Sequence, residues 1–210
     1  MKILELFAGS RSFSKVAEEL GHKTYCTDIE NFDGINQVCD IRDFDLDKAI
    51  KHLGGAPDIV WASPPCTYFS VASIGKHWNE NHNPKTAEAV NAIQIMKTTL
   101  HIILFKIDPK YYYIENPRGK LRKLSIMNFC DYRKTVCYCQ YGEKTMKPTD
   151  IWTNNYNWLP RPMCFNGNKH CHHEPAPRGS LTGIQGVESE YLRSVVPSEL
   201  CKEILEVSKW

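Results

Sequence analysis

The chain has 210 residues, of which 42% are apolar, 24% charged and 11% aromatic, and its formal net charge is +2. That composition fits one globular domain with a sizeable core and excludes a low-complexity chain. The charge balance neither demands nor excludes a polyanionic partner, and no apolar run approaches the roughly 20 residues that span a bilayer.

In chain order, "KILELFAG" predicts a buried strand and "SRSFSKVAEELG" a helix closed by Gly21. "HKTYCTDI" is a second strand ending at Asp28, and "INQVCDI" a third strand signal ending near Asp40. "LDKAIKHLGG" reads as a helix with a glycine stop, and "APDIVWAS" as a fourth strand. A long helix, "KTAEAVNAIQIMKTTLHIILFKI", follows Pro84, and "KYYYIENP" is a fifth strand stopped by Pro117. Such alternation of strand and helix predicts an α/β fold with a doubly wound parallel sheet, which binds ligands at the carboxyl ends of its strands. Gly9, Asp28, Asp40, Cys66 and Glu115 all fall at those ends.

From about Cys137 the texture changes to a stretch rich in Pro, Asn, Cys, His and aromatics, with little periodicity. "PSELCKEILEVSKW" then returns to a helical pattern that starts at Pro197 and Ser198. The expected organisation is one catalytic domain over 1–136 and 188–210, carrying a small irregular Cys/His-rich insertion over 137–187. Met1 leads straight into an apolar strand with no signal sequence ahead of it, and the chain has nine cysteines. Thiols or metal ligands in a reducing cytoplasmic compartment are therefore expected, rather than a disulfide framework.

The stretch "WASPPCTYFS" concentrates the chemistry. Pro64 and Pro65 cannot continue a central strand, so they end it and present Cys66 on a stiff bend. A thiol is a nucleophile only as thiolate, and a strand-end bend beside helix N–H groups suits that form. Gly9, in the first strand-to-helix turn, lets backbone approach a ligand closely. Asp28 ends the second strand, where an acid binds ribose hydroxyls, while Asp40 suits an adenine amino group and Ile41 its ring. Glu115, in "YYYIENPRG", can hydrogen-bond or protonate a ring nitrogen on a neighbouring strand.

Together these motifs resemble the cytosine carbon-5 DNA methyltransferases. "FAGS" is similar to that family's first cofactor motif, "SPPC" to its nucleophile motif and "IENP" to its glutamate motif, normally Glu-Asn-Val. "SVVPSELCKEIL" resembles the final Val-Pro helix that returns to the cofactor. The resemblance implies a Rossmann-like class I S-adenosylmethionine-dependent methyltransferase fold acting on cytosine in DNA. It implies that Cys66 attacks carbon 6 of a flipped-out cytosine, that Glu115 engages ring nitrogen 3 and that Asn116 positions the catalytic elements. Phe7, Gly9, Ser10, Asp28, Ile29, Asp40, Ile41, Pro64 and Val195 would line the cofactor site. Ser70, Arg118, Lys120 and Lys147 would face nucleic acid, and "TYFSVASIGKHWNENHN" would be the mobile loop that closes over the base.

The chain also departs from the family. Arg11 and Ser12 replace small residues in the glycine turn, and Ser194 stands where an asparagine usually precedes Val-Pro. The Gln-x-Arg-x-Arg motif is missing, with Lys147 and Thr149 at the places of its arginines. About 40 irregular residues occupy the position of a much larger target-recognition domain, so specificity is expected to be short, loose or supplied by a partner chain. Within them Cys137, Cys139, Cys164, Cys171, His170, His172 and His173 offer enough ligands for a structural zinc, with Cys139, Cys164, Cys171 and His172 or His173 preferred. Trp152, Tyr156, Trp158 and Arg161 either pack as that segment's core or stack near a base. Three other functions stand beside DNA methylation: the same chemistry on transfer RNA, a catalytically idle nucleic-acid-binding module, and transfer of another group from a modified cofactor whose carboxylate Arg11 would bind.

Overall fold

The computed structural model describes residues 1–71, 74–174 and 190–209. Ala72, Ser73 and Trp210 lie outside the described residues, as do 175–189, which hold the end of the expected insertion. Seven strands form one sheet: β1 (Lys2–Leu6), β2 (Lys23–Asp28), β3 (Gln37–Val38), β4 (Ile59–Ala62), β5 (Tyr111–Pro117), β6 (Tyr132–Cys137) and β7 (Pro148–Thr153). Their order is β3-β2-β1-β4-β5-β7-β6. The first five run parallel, and β7 is antiparallel to both β5 and β6. The order reverses between β1 and β4, and the loops after those two strands open a crevice there.

The helices follow their sequence signals closely. In α1 (Ser12–Glu19) the chain turns out at Gly21, whose φ is +78°. Asp45 caps α2 (Leu46–Leu53) by accepting from Lys48 N at 3.1 Å, and Gly54 ends it in the left-handed region. Thr86 caps α4 (Ala87–His101), which continues as a π-helical turn over Ile102–Ile107. A short helix, α3 (Ile74–His77), precedes it, and α5 (Glu190–Ser194) and α6 (Ser198–Val207) close the chain. No helix among the described residues is long and apolar enough to cross a membrane.

Two apolar layers cover the sheet. On one face, α2, α4 and the π-turn pack Ala49, Leu53, Met96, Leu100 and Ile103 against Leu4, Val60 and Ile114. On the other, Phe13, Val16 and Ala17 of α1 meet Leu200, Cys201, Ile204 and Leu205 of α6 over Ile3, Trp61 and Tyr113. Phe13 stacks on Trp61 with ring centroids 4.7 Å apart.

The expected insertion needs correction, because β7 lies inside 137–187 and inside the sheet. Its sequence, PTDIWT, carries polar residues that read as loop, yet from Thr149 to Thr153 every residue is buried. Their polar groups are satisfied locally: Asp150 pairs with Arg122 and accepts from Thr135 Oγ1 at 2.8 Å, while Thr149 Oγ1 donates to Lys147 O at 3.1 Å. Trp152 and Trp158 are core residues, whereas Tyr156 is exposed. Arg161 ties this region to α6 through Glu199 and Glu203.

Candidate active site

The β1–α1 turn is built from left-handed residues, with φ of +56° at Phe7, +43° at Gly9 and +55° at Arg11. A bulky Phe and Arg in that region are strained, and such strain concentrates where a turn must hold a particular shape. Asp28 at the end of β2 fixes the turn by accepting from Gly9 N at 2.9 Å. The last motif closes over it. Ser194 Oγ would lie 3.8 Å from a Cβ placed on Gly9, and Val196 N donates to Ser12 Oγ at 3.1 Å. Ser12 in turn shares a 2.6 Å hydrogen bond with Ser10.

Beside this turn lies an open cleft lined by Phe7, Thr27, Asp28, Ile29, Cys39, Asp40, Ile41, Pro65 and Ile95. Five of the expected cofactor residues (Phe7, Asp28, Ile29, Asp40 and Ile41) therefore meet in one place, and Ser10 and Val195 belong to the turn and the motif that flank it. Pro65 lines the cleft, whereas Pro64 lines a second hollow behind it. The Asp40 carboxylate is held by Arg42, whose hydrogen bonds lower its pKa to about 2. A carboxylate at each strand end, an aromatic ring and aliphatic walls are the donor and packing set that an adenosine-containing cofactor needs. Arg11 is not aimed at such a ligand: its guanidinium pairs with Glu18, and its Nε donates to Cys26 Sγ at 3.4 Å. The first helical N–H groups are also taken, since Ser14 N and Phe13 N donate to the Glu5 carboxylate at 2.7 and 3.3 Å.

On the neighbouring strands, Cys66 follows the Pro64–Pro65 bend at the end of β4, partly exposed. Asn116 of β5 locks that bend by donating from Nδ2 to Pro64 O at 2.9 Å, and its buried Oδ1 has no donor among the described residues. Glu115, 5% exposed, accepts from the Tyr138 hydroxyl at 3.0 Å. Burial pushes its pKa up, opposed by Lys147 and by hydrogen bonds from Tyr138 and Ser63. Burial and the Glu115 charge raise the Cys66 thiol, while Lys147 and Arg193 draw it down. Thiol, carboxyl and ammonium thus share one electrostatic neighbourhood. Lys147 itself is buried, with its Nζ 4.5 Å from the Tyr138 ring centroid and donating to Arg193 O at 2.7 Å.

The expected nucleic-acid residues divide. Arg118 is exposed beside the site, and Ser70 is half-buried with its hydroxyl 3.4 Å from Thr67 O. Lys120 corrects the expectation: it is 3% exposed, with Nζ 2.8 Å from His82 Nδ1 and 5.3 Å from the Trp78 ring centroid. Its role is to fasten the segment after Cys66, whose Phe69, His77 and Trp78 are buried. Gly119 is required for that docking, because a Cβ there would meet Phe69 O at 2.3 Å.

Of the two histidines expected beside the cysteines, His173 is the one that joins them. Cys139, Cys164, Cys171 and His173 present ligand atoms within 4.8 Å of one another. His172 instead turns outward and hydrogen-bonds Glu143 O at 3.0 Å, and the Cys137 thiol faces Cys164 O and Met163. Tyr138, Ser63, Arg193 and Glu5 were not expected. Tyr138 and Arg193 reach their places only through strand pairing or chain closure, whereas Ser63 lies within the SPPC motif and Glu5 acts on the helix that follows its own strand.

Strand order, glycine turn and acid-lined crevice define a Rossmann-like, S-adenosylmethionine-dependent methyltransferase fold. No family model matches the chain. It is 30% identical over 166 residues to a probable DNA (cytosine-5)-methyltransferase of Frog virus 3 (isolate Goorha), covering 77% of this chain and 74% of that protein. The chain belongs to the cytosine-5 methyltransferase family. Solved structures similar to it include a mutant of Spodoptera frugiperda DNMT2 (22% identity, TM-score 0.45, covering 77% of this chain and 55% of that one). Another is S. pombe Dnmt2 methyltransferase (14% identity, TM-score 0.46, covering 78% and 52%). The chain spans about half the length of these two.

Proposed function

We propose that this protein methylates carbon 5 of cytosine in DNA through a covalent adduct with Cys66. The observation that carries the reading is the joining of Cys66 and Glu115 in one site, with Asn116 bracing the Pro64–Pro65 bend. The viral relative's name supports DNA as the substrate.

The thiolate of Cys66 attacks carbon 6 of the base, and Glu115 hydrogen-bonds or protonates ring nitrogen 3 as negative charge builds there. A carboxyl that burial keeps toward its protonated form suits that donation, and Tyr138 orients it. Attack at carbon 6 makes carbon 5 electron-rich enough to accept a methyl group. Phe7, Asp28, Ile29, Asp40 and Ile41 would hold S-adenosylmethionine, which when bound would supply that group as an electrophile and leave as S-adenosylhomocysteine. Loss of the carbon-5 proton to water then expels the Cys66 thiolate, and return of any nitrogen-3 proton to Glu115 restores the ring. A paired cytosine cannot reach Cys66, so the base must leave the duplex at a cost of a few kcal/mol.

Transfer of labelled methyl from S-adenosylmethionine to duplex DNA, single-stranded DNA and transfer RNA tests the proposal, with Cys66→Ser alongside. Label is expected in DNA and absent with the variant, which should still bind cofactor. Label in transfer RNA alone would keep the chemistry and replace the substrate. Label unaffected by Cys66→Ser would overturn the covalent mechanism.

A further inference from the structure

We propose that Cys139, Cys164, Cys171 and His173 hold a single zinc ion that fastens the segment after β7 to the helical turn that follows β6 beside the active site. Three sulfurs and one imidazole with ligand atoms no more than 4.8 Å apart form a Cys₃His set. A tetrahedral zinc with bonds of about 2.0–2.3 Å separates its ligands by about 3.5–3.8 Å, so a small contraction closes the cluster. One edge is already at that spacing, since Cys164 Sγ and His173 Nδ1 are 3.5 Å apart.

The surroundings of the cluster fit thiolate ligands. Gln140 Nε2 donates toward the Cys139 and Cys171 sulfurs at 3.8 and 3.7 Å, and Asn168 Nδ2 toward Cys164 at 3.5 Å. Amide donors aimed at sulfur stabilise its anionic form and orient it as a ligand. Beyond the Arg161 ties to α6, regular structure and apolar burial give the segment little support. Between 160 and 174 there is no regular element, and Met163 and Phe165 are exposed. A stretch so poor in apolar burial needs a cross-link to hold one conformation. On binding, three thiol protons pass to solvent and the loaded site carries one net negative charge.

The position gives the metal a consequence. Cys139 directly follows Tyr138, whose hydroxyl holds Glu115, so the zinc would fix the backbone that orients the catalytic carboxyl.

Elemental analysis of the untagged full chain, purified without added metal, is expected to find about one zinc per molecule. Cys164→Ser and His173→Ala should lose it, whereas His172→Ala should keep it. Cobalt(II) added to chelator-stripped wild-type protein should give thiolate-to-metal charge-transfer absorption and tetrahedral visible bands, a readout that does not depend on any variant folding. Absence of zinc together with featureless cobalt spectra would overturn the proposal. So would an intact mass lighter by two hydrogens with no metal, which would identify a disulfide.

Discussion

Lys147 carries a charge that reaches both of the groups proposed to react. Its ammonium lowers the pKa of Cys66 and of Glu115, against burial that raises both. Lys147→Met should therefore move the thiolate limb of kcat/KM to higher pH. The sign follows from the charge: without the cation the thiolate is less stable, so more alkali is needed to form it. Activity at neutral pH should fall by about tenfold for each unit that the thiol rises. Lys147→Arg should restore the limb's position, because it restores the charge. A pH–rate profile for the three proteins decides it, and an unmoved limb in the methionine variant would show that Cys66 does not feel this ammonium.

At the scale of elements, the N-terminus of α1 is closed from within the sheet. Glu5 of β1 is 2% exposed and accepts from Ser14 N and Phe13 N, and burial raises its pKa from 4.5 to about 7. The folded chain therefore keeps a proton that the unfolded chain releases above about pH 4.5. Stability from this group is complete below that pH and is lost as pH rises toward 7, by up to about 3 kcal/mol. Glu5→Gln should flatten that part of the curve. Thermal melts of both proteins between pH 4.5 and 8 would show it, and parallel curves would refute it. Elements of this kind also mark what the sequence could express. β1, β2, β4 and β5 were legible as apolar runs ended by Gly, Asp or Pro, and Cys66, Glu115 and Asn116 were legible because they sit at those ends. β7 was not, because buried Asp150 looks like loop until Arg122 and Thr135 arrive from elsewhere to pair with it, while Thr149 and Thr153 bond within two residues of themselves. Tyr138 was hidden for the same reason: its partner is 23 residues away.

At the scale of the molecule, the first and last motifs form one structure. α6 packs on α1 through Leu200, Cys201, Ile204 and Leu205, and the residues just before it reach the Gly9 turn and Lys147. Packing in that layer is therefore coupled to the proposed cofactor cleft. Ile204→Ala removes a fully buried side chain and should cost about 2–5 kcal/mol of stability. It should also weaken S-adenosylmethionine binding, because Ser194 and Val195 lose their support. Ile103→Ala supplies the contrast. It opens a comparable hole on the opposite face, at the end of the β4-to-β5 helix that lies farthest from the strand C-termini. A similar loss of stability is expected there, with affinity unchanged. Denaturant unfolding and calorimetric titration of both variants separate the two effects. Equal affinities would mean that the last motif closes the fold without contributing to the cofactor site, and the strained β1–α1 turn would then have to hold the ligand with β2 alone.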